Sequence, residues 1–214
     1  MLSKKHEPLW PAFISICMLI LLQITVTDAL TIIPKYSLAG LEFALLVGVM
    51  LSYPKGLLQS STLRRSFSMS LIAIITFTNI ASLVLVVSHL VGGDNIDGHT
   101  LILSALAIYA TNIIIFGLWY WELDSPGLSG FNEPARGPDF LFPQMTAKDI
   151  HPACAKWTPK LFDYLYISVT NATAFSPTDA MPLTDRTKLL MMIQSLVSLA
   201  TVALVAARAV NILN

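Results

Sequence analysis

Charged residues are scarce in this sequence. Only 12% of its 214 residues are Asp, Glu, Lys or Arg, whereas a soluble domain carries about 25%. Hydrophobic residues make up 55% of the chain, and the mean hydropathy is +0.68. The formal net charge is zero, so the basic surface that nucleic-acid binding requires is missing. The composition argues against an ordinary soluble domain and predicts a protein that lies in a lipid bilayer.

Cysteine and histidine are also few. Cys17 and Cys154 lie far apart in unlike surroundings, and the four histidines are scattered without a helical pair. Neither residue type has a metal-ligand spacing, and the cysteines give no argument for a disulfide. The sequence also lacks a nucleotide-binding loop and a paired nucleophile and base. It therefore predicts no catalytic residues, no metal and no cofactor.

Long apolar runs recur along the chain. A bilayer core takes about 20 apolar residues of helix, and five segments fit, at about 11–30, 38–53, 67–91, 100–121 and 187–213. We therefore expect an all-α polytopic protein of the plasma (inner) membrane. Its parts are a four-helix region (1–121), an irregular polar loop rich in Pro and Gly (122–160), and a re-entrant segment with the last helix (161–214).

The basic residues of the short loops predict the orientation. One side has several of them, namely Lys4, Lys5, Lys55, Arg64 and Arg65. The other side has Lys35 in its first loop and no Lys or Arg in its second, 92–99. Because basic loops stay in the cytoplasm, we expect a cytoplasmic N-terminus, a cytoplasmic 122–160 loop and an external C-terminus.

The segment 162–182, before the last apolar run, is half polar. Its polar residues are short, and they are Ser168, Thr170, Asn171, Thr173, Ser176 and Thr178. Non-helical backbone at membrane depth persists only where protein or a wet cavity covers it. The pattern predicts a short helix that stops part-way into the membrane, after which Asp179 and Pro182 return the chain to the surface. An interfacial or re-entrant connector that conducts nothing would have the same pattern.

This segment resembles the pore region of tetrameric potassium-type channels, which have a pore helix, a filter and an inner helix. The matching residues are Ser168, Val169, Thr170, Thr173, Asp179, Pro182 and Arg186. The likeness covers about 162–213, a quarter of the chain, and implies a pore-loop tetramer that passes monovalent cations. The glycines of the family's filter are replaced by Ser176 and Thr178, on either side of Pro177. A filter whose carbonyls line up needs glycine, so a potassium-selective filter is not expected.

On this interpretation one continuous stretch lines the constriction and its mouth. The stretch consists of Thr170, Thr173, Ala174, Phe175, Ser176, Pro177, Thr178 and Asp179. Two alternatives remain open. One is a non-conducting scaffold or a subunit of a larger membrane complex, and the other is a membrane enzyme that uses Glu122 and Asp124. The predicted orientation places the loop on the cytoplasmic side, opposite to potassium channels.

The whole chain resembles a bacterial family of small integral membrane proteins with no assigned activity. The likeness runs nearly end to end and rests on Asn112, Phe116–Asp124, Asp139–Gln144, Asp163–Tyr166, Thr170–Pro182 and Ala207–Leu213. It implies a helical membrane protein and no particular reaction.

The aromatic cluster around Trp119 is typical of a membrane interface. Glu122 and Asp124 follow it and point to different faces if they are helical. They are solvated acids, or they form with Asp163 a vestibule that attracts cations.

Four further polar residues fall within or beside apolar runs, namely Asp28, Glu42, Asn79 and Asn112. For the asparagines we expect hydrogen bonds between helices, each contributing about 0.6 kcal/mol. Asp28 and Glu42 are expected near one interface, where Lys35 can pair with either. A proton or ion relay is the alternative for these two acids.

Overall fold

A computed structural model describes residues 9–26, 28–51, 61–92, 97–125, 127–129, 137–174 and 179–213. These residues form seven α-helices: α1 (Trp10–Thr25), α2 (Lys35–Leu51), α3 (Ser61–Gly92), α4 (Gly98–Asp124), α5 (Pro143–Thr146), α6 (Leu161–Ala174) and α7 (Asp185–Leu213). Two 3-10 turns lie at Asp28–Leu30 and Pro152–Cys154, and two short strands are β1 (Phe140–Leu141) and β2 (Met181–Pro182).

Three helices are long and apolar enough to cross a membrane. Their apolar spans are Thr62–Leu90 in α3, Gly98–Asp124 in α4 and Asp185–Arg208 in α7. The prediction of an all-α membrane protein is confirmed to this extent. The helices α1 and α2 are apolar but shorter, with 16 and 17 residues. The first predicted segment, 11–30, is divided, because α1 ends at Thr25 and a separate 3-10 turn begins at Asp28.

Helix starts follow familiar local chemistry. Pro11 occupies the first turn of α1, where its missing N–H needs no partner. The Asp97 carboxylate accepts a hydrogen bond from the Thr100 backbone N–H at 3.2 Å and caps α4. At the start of α6, the Asp163 carboxylate accepts from the Lys160 N–H at 2.7 Å. These polar residues set the beginnings of helices whose interiors are apolar.

The long helices run alternately up and down. We call the end of the bundle at Asp124 the upper end and the end at Gly98 the lower end. At the upper end the Arg64 guanidinium of α3 donates to the Ser129 carbonyl, just beyond α4. At the lower end His89 of α3 lies 3.2 Å from the Ala29 carbonyl oxygen. The helix α3 therefore descends beside the rising α4.

The first two helices form a similar antiparallel pair. At its start, α1 contributes Ala12 and Ile16 to an upper core cluster that also contains Ile115 of α4. Beyond its end, Val26 and Leu30 belong to a lower core cluster. The rising α2 carries Leu46 and Val49 back to the upper cluster. The two clusters thus form the interior of a bundle built around α4.

The path of α6 differs from that of the long helices. The Ser168 hydroxyl of α6 donates to the Ile113 carbonyl of α4 at 2.5 Å, and the Tyr109 hydroxyl donates to the Ala172 carbonyl at 3.2 Å. The helix α6 thus begins at the upper end and stops at the level of Tyr109. By Met181 the chain is again at the upper end, where β2 pairs with β1 in an antiparallel register that sets Leu141 opposite Met181.

The segment between α4 and α6 is more ordered than the sequence predicts. It contains β1, α5 and a 3-10 turn, and Phe140 and Phe142 are buried in the upper cluster. The Phe142 ring lies 5.4 Å from that of Tyr164 and 5.2 Å from that of Trp157, measured between centroids. Aromatic packing of this kind fixes the segment onto α6. Where the sequence predicts irregular structure over 122–160, the described residues have regular structure at 122–124, 140–141, 143–146 and 152–154.

Candidate functional site

A hydrogen-bond network joins α4, α6 and α7 in the middle of the bundle, with Gln194 of α7 at its centre. The Gln194 Oε1 accepts from the Tyr120 hydroxyl at 2.6 Å and from Asn171 Nδ2 at 2.8 Å. Its Nε2 donates to the Ser168 carbonyl at 3.0 Å and to the Ser168 hydroxyl at 2.6 Å. All four residues are buried. One carboxamide therefore holds α6 against both long helices.

Asn112 and Ser195 extend this network along α7. The Asn112 Nδ2 donates to the Gln194 carbonyl at 3.2 Å and to the Ser198 hydroxyl at 2.8 Å. This is the cross-helix role that the sequence predicts for Asn112. The Ser195 hydroxyl donates to Asn171 Oδ1 at 3.2 Å. The polar side chains of α6 are thus bonded within the same chain.

The other side of α6 faces outward. Tyr166, Val169 and Thr173 are exposed on it. The hydroxyls of Thr170 and Thr173 donate to carbonyls of their own helix, that of Thr170 to Tyr166 at 3.0 Å and that of Thr173 to Val169 at 2.8 Å. Because these hydroxyls bond within their own helix, the outward surface of α6 can contact lipid or another molecule.

The return from α6 contains the residues expected at the constriction and its mouth. Ala174 is exposed at the end of the helix, and Asp179 is exposed with its carboxylate 2.7 Å from the Tyr166 hydroxyl. The residues between them, Phe175, Ser176, Pro177 and Thr178, lie outside the described residues. The Tyr166–Asp179 bond ties the two limbs of the return together.

An ion pair at the upper end joins the 122–160 segment to α7. The Asp139 side chain is fully buried, and its two carboxylate oxygens accept from the Arg186 guanidinium. The Thr184 hydroxyl also donates to Asp139, at 2.7 Å. Because a buried carboxylate needs paired charge and hydrogen bonds, Arg186 and Thr184 fix the position of β1 beside the start of α7.

The Asp124 carboxylate lies next to this ion pair. It accepts from the backbone N–H groups of Asp139 and Phe140. It also accepts from the Tyr164 hydroxyl at 2.6 Å. Burial and the adjacent carboxylate hold the pKa of Tyr164 well above its ordinary value, so the phenol keeps its proton. Asp124 therefore connects α4, β1 and α6.

The predicted vestibule acids have separate partners. Glu122 is buried and accepts from the Ser129 N–H at 3.1 Å, across a turn in which Gly127 has a φ of +56°. A Cβ on Gly127 would lie 2.5 Å from a Glu122 carboxylate oxygen, so the turn requires glycine. Asp163 caps α6, and partial burial raises the pKa of its carboxyl. The three acids share no hydrogen-bond partner among the bonds found in the described residues, and the enzyme alternative gains no support from them.

Two of the predicted intramembrane polar residues are buried near the lower end. Asp28 is largely exposed and forms an ion pair with Lys35 at 3.5 Å. Glu42 of α2 and Asn79 of α3 are buried. Asn79 lines a cleft between α1, α2, α3 and α4, together with Gln23. The lower half of the bundle therefore has a polar interior of its own.

Several residues that form the buried hydrogen bonds and the ion pair are not among the site residues that the sequence predicts. Gln194 is a lone amide within an apolar run, and this is the signal that could have found it. Asp139 and Arg186 are 47 residues apart, and no spacing rule connects them. Tyr120 belongs to the aromatic cluster around Trp119, for which the sequence predicts a membrane interface, yet it is fully buried.

Comparison with protein families, curated proteins and solved structures finds no match to this chain. The described residues are mainly helical, and three of their helices are long and apolar enough to cross a membrane.

Proposed function

We propose that the chain crosses the plasma membrane five times and that α6 and its return form a re-entrant hairpin. The observation that carries this proposal is the path of the chain at both ends of α6. With 14 residues, α6 is about 21 Å long at 1.5 Å per residue, which is less than the roughly 30 Å of a bilayer core. The level that it reaches beside Tyr109, and the pairing of Met181 with Leu141, support a segment that enters and leaves on one side.

The five crossings are α1, α2, α3, α4 and α7. The helices α1 and α2 are only about 24 and 26 Å long by the same rise per residue. The start of α1 and the end of α2 lie in the upper cluster, and Val26 and Leu30, which follow α1, lie in the lower cluster. Short spans are accommodated by local thinning of the bilayer and by flanking residues. Alternation of direction through α1–α4 supports this count.

We further propose that the upper end faces the cytoplasm. The described basic residues at that end are Arg64, Arg65, Lys148, Lys156, Lys160, Arg186 and Lys188. Those near the lower end are Lys35 and Arg208. Because cytoplasmic segments are enriched in Lys and Arg, this asymmetry agrees with a cytoplasmic N-terminus and an external C-terminus.

The function that we propose is a pore-loop, channel-like oligomer that passes monovalent cations. A single hairpin cannot enclose a path, so several copies, four if the likeness to potassium-type channels holds, would bring their hairpins together. The outward side of α6, with Thr173, Ala174 and the exposed Asp179 carboxylate, supports this arrangement. A ring of such carboxylates at the mouth attracts cations.

A non-conducting membrane scaffold is the second candidate. The observation in its favour is that Ser168 and Asn171, two buried polar side chains of α6, bond to Gln194 of their own chain. A hairpin held in this way could serve only to fasten α4 to α7. The two candidates differ in flux and in oligomeric state.

Cation flux into liposomes that contain the purified protein tests the channel proposal. We expect flux above that of empty liposomes, and we expect Asp179→Asn to lower it several-fold because the mouth loses its charge. Asp149→Asn is the matched control, since Asp149 is an exposed acid of the upper segment, and it should leave the flux unchanged. Absence of flux, or a strictly monomeric protein in detergent, would contradict the channel and favour the scaffold.

A further inference from the structure

A buried acid in α2 has no hydrogen-bond partner. Glu42 has a relative exposure of 0%, and it lies near the middle of an apolar helix. Neither of its carboxylate oxygens makes a hydrogen bond of ordinary geometry within the described residues, and the side chain that interacts with it is that of Gln23. The Gln23 side chain of α1 lies next to it, and the amide nitrogen and oxygen of Gln23 also lack partners within the described part of the chain. Four buried polar atoms without partners are therefore side by side in the bundle.

Gln23 also connects this pair to the cleft near the lower end. The polar residues that line the cleft are Gln23, Thr78, Asn79, Ser82 and Thr111. Its outer part is lined by Thr31–Ile33 and Lys35, from the connection between α1 and α2. Leu38 lines it as well, and Glu42 follows Leu38 by four residues on the same face of α2. The lining of the cleft thus extends from the lower end to Gln23, whose side chain lies next to the Glu42 carboxyl.

No ion pair with Glu42 is formed among the described residues. The charged and titratable groups of the surrounding elements in the lower half of the bundle are Asp28, Lys35, Tyr36, His89, Asp97, His99, Tyr109 and Arg208. Lys35 pairs with Asp28, and His89 lies beside the Ala29 carbonyl. The charged groups farther up the bundle are Arg64 and Arg65 of α3 and Glu122 and Asp124 of α4, which lie at the opposite end. An ionised carboxylate in such a place is costly because nothing compensates its charge.

We propose that Glu42 and Gln23 form a proton-binding site that is reached from the lower end through the cleft. A proton from water adds to the Glu42 carboxylate and gives the neutral acid. The acid hydroxyl then donates to Gln23 Oε1, and Gln23 Nε2 donates to the remaining acid oxygen. This exchange pairs all four polar atoms, and the polar lining of the cleft supplies partners for the water that carries the proton. The inference rests on α1–α4 and is independent of the α6 hairpin.

Infrared difference spectroscopy of the full-length protein in liposomes tests the site. At neutral pH we expect a carbonyl band of a protonated carboxyl group, which disappears as the pH is raised and is absent in Glu42→Gln. Asp28→Asn is the control, because Asp28 is 71% exposed, and it should retain the band. Absence of the band in the wild type at neutral pH, or a band of undiminished intensity in Glu42→Gln with an unchanged melting temperature, would overturn the proposal.

Access through the cleft is tested with Asn79→Cys in a protein whose two native cysteines are replaced. A bulky thiol adduct at position 79 should slow the exchange of the Glu42 band in D₂O several-fold. The same adduct on Val84→Cys, at an exposed position of α3, should not slow it. Equal exchange rates in the two proteins would overturn the proposal that the proton reaches Glu42 through the cleft. Loss of the band on adding sodium at constant pH would show that the site binds a metal cation, and it would overturn the proposal that the ligand is a proton.

Discussion

At the scale of single residues, Gln194 contributes most to the cohesion of the bundle. Its carboxamide bonds to α4 through Tyr120 and to α6 through Ser168 and Asn171. In lipid the apolar faces of helices gain little from association, so hydrogen bonds and close packing between helices matter more. A residue with four such bonds therefore determines how α6 sits against its neighbours.

Replacing Gln194 with leucine should destabilise the protein by about 1–2 kcal/mol, because Tyr120, Ser168 and Asn171 lose a buried partner. The measurement is the free energy of unfolding in mixed micelles. Ser195→Ala is the graded control, since Ser195 makes one bond of 3.2 Å at the edge of the same network, and it should cost less than half as much. Equal stability of the wild type and Gln194→Leu would contradict the role given to the network.

At the scale of elements, the sequence predicts α6 better than it predicts its surroundings. The half-polar composition of 162–182 indicates a short helix, and the helix observed is Leu161–Ala174. The direction of its polar face was not predictable, because the partner, Gln194, is 23 residues from Asn171 and belongs to another helix. Similarly, Asp139 could be placed in a loop but not against Arg186. Such contacts depend on packing between elements, which periodicity within one element does not contain.

The close approach of α6 to α4 depends on Gly117. A Cβ added there would lie 2.7 Å from the Leu165 Cδ2 and 3.2 Å from the Leu165 Cα. Because the backbone of α6 must move, Gly117→Ala should cost about 1–3 kcal/mol by overpacking, and hydrogen exchange in 161–174 should rise. Gly40→Ala is the control, since nothing lies within 4 Å of its added Cβ, and helix propensity alone should make it neutral or stabilising. Similar effects of the two substitutions would contradict this packing.

At the scale of the whole molecule, composition alone predicts an all-α membrane protein, and three apolar spans agree. The contacts of α1–α4 arrange these helices alternately up and down. Cation passage stays a prediction, as does the likeness of 162–213 to a channel pore. The central question is on which side of the membrane the chain emerges after α6. In a re-entrant hairpin it returns to the side from which α6 entered, whereas in a sixth span it emerges on the opposite side.

Thiol accessibility at three positions separates these two topologies. In a protein without Cys17 and Cys154, single cysteines replace the exposed residues Lys160, Leu183 and His99, and a membrane-impermeant reagent is applied to intact cells and to inside-out vesicles. We predict that positions 160 and 183, before and after the hairpin, react only in inside-out vesicles, and that position 99 reacts only in intact cells. Reaction of positions 160 and 183 from opposite sides would contradict the re-entrant hairpin, because α6 would then cross the membrane.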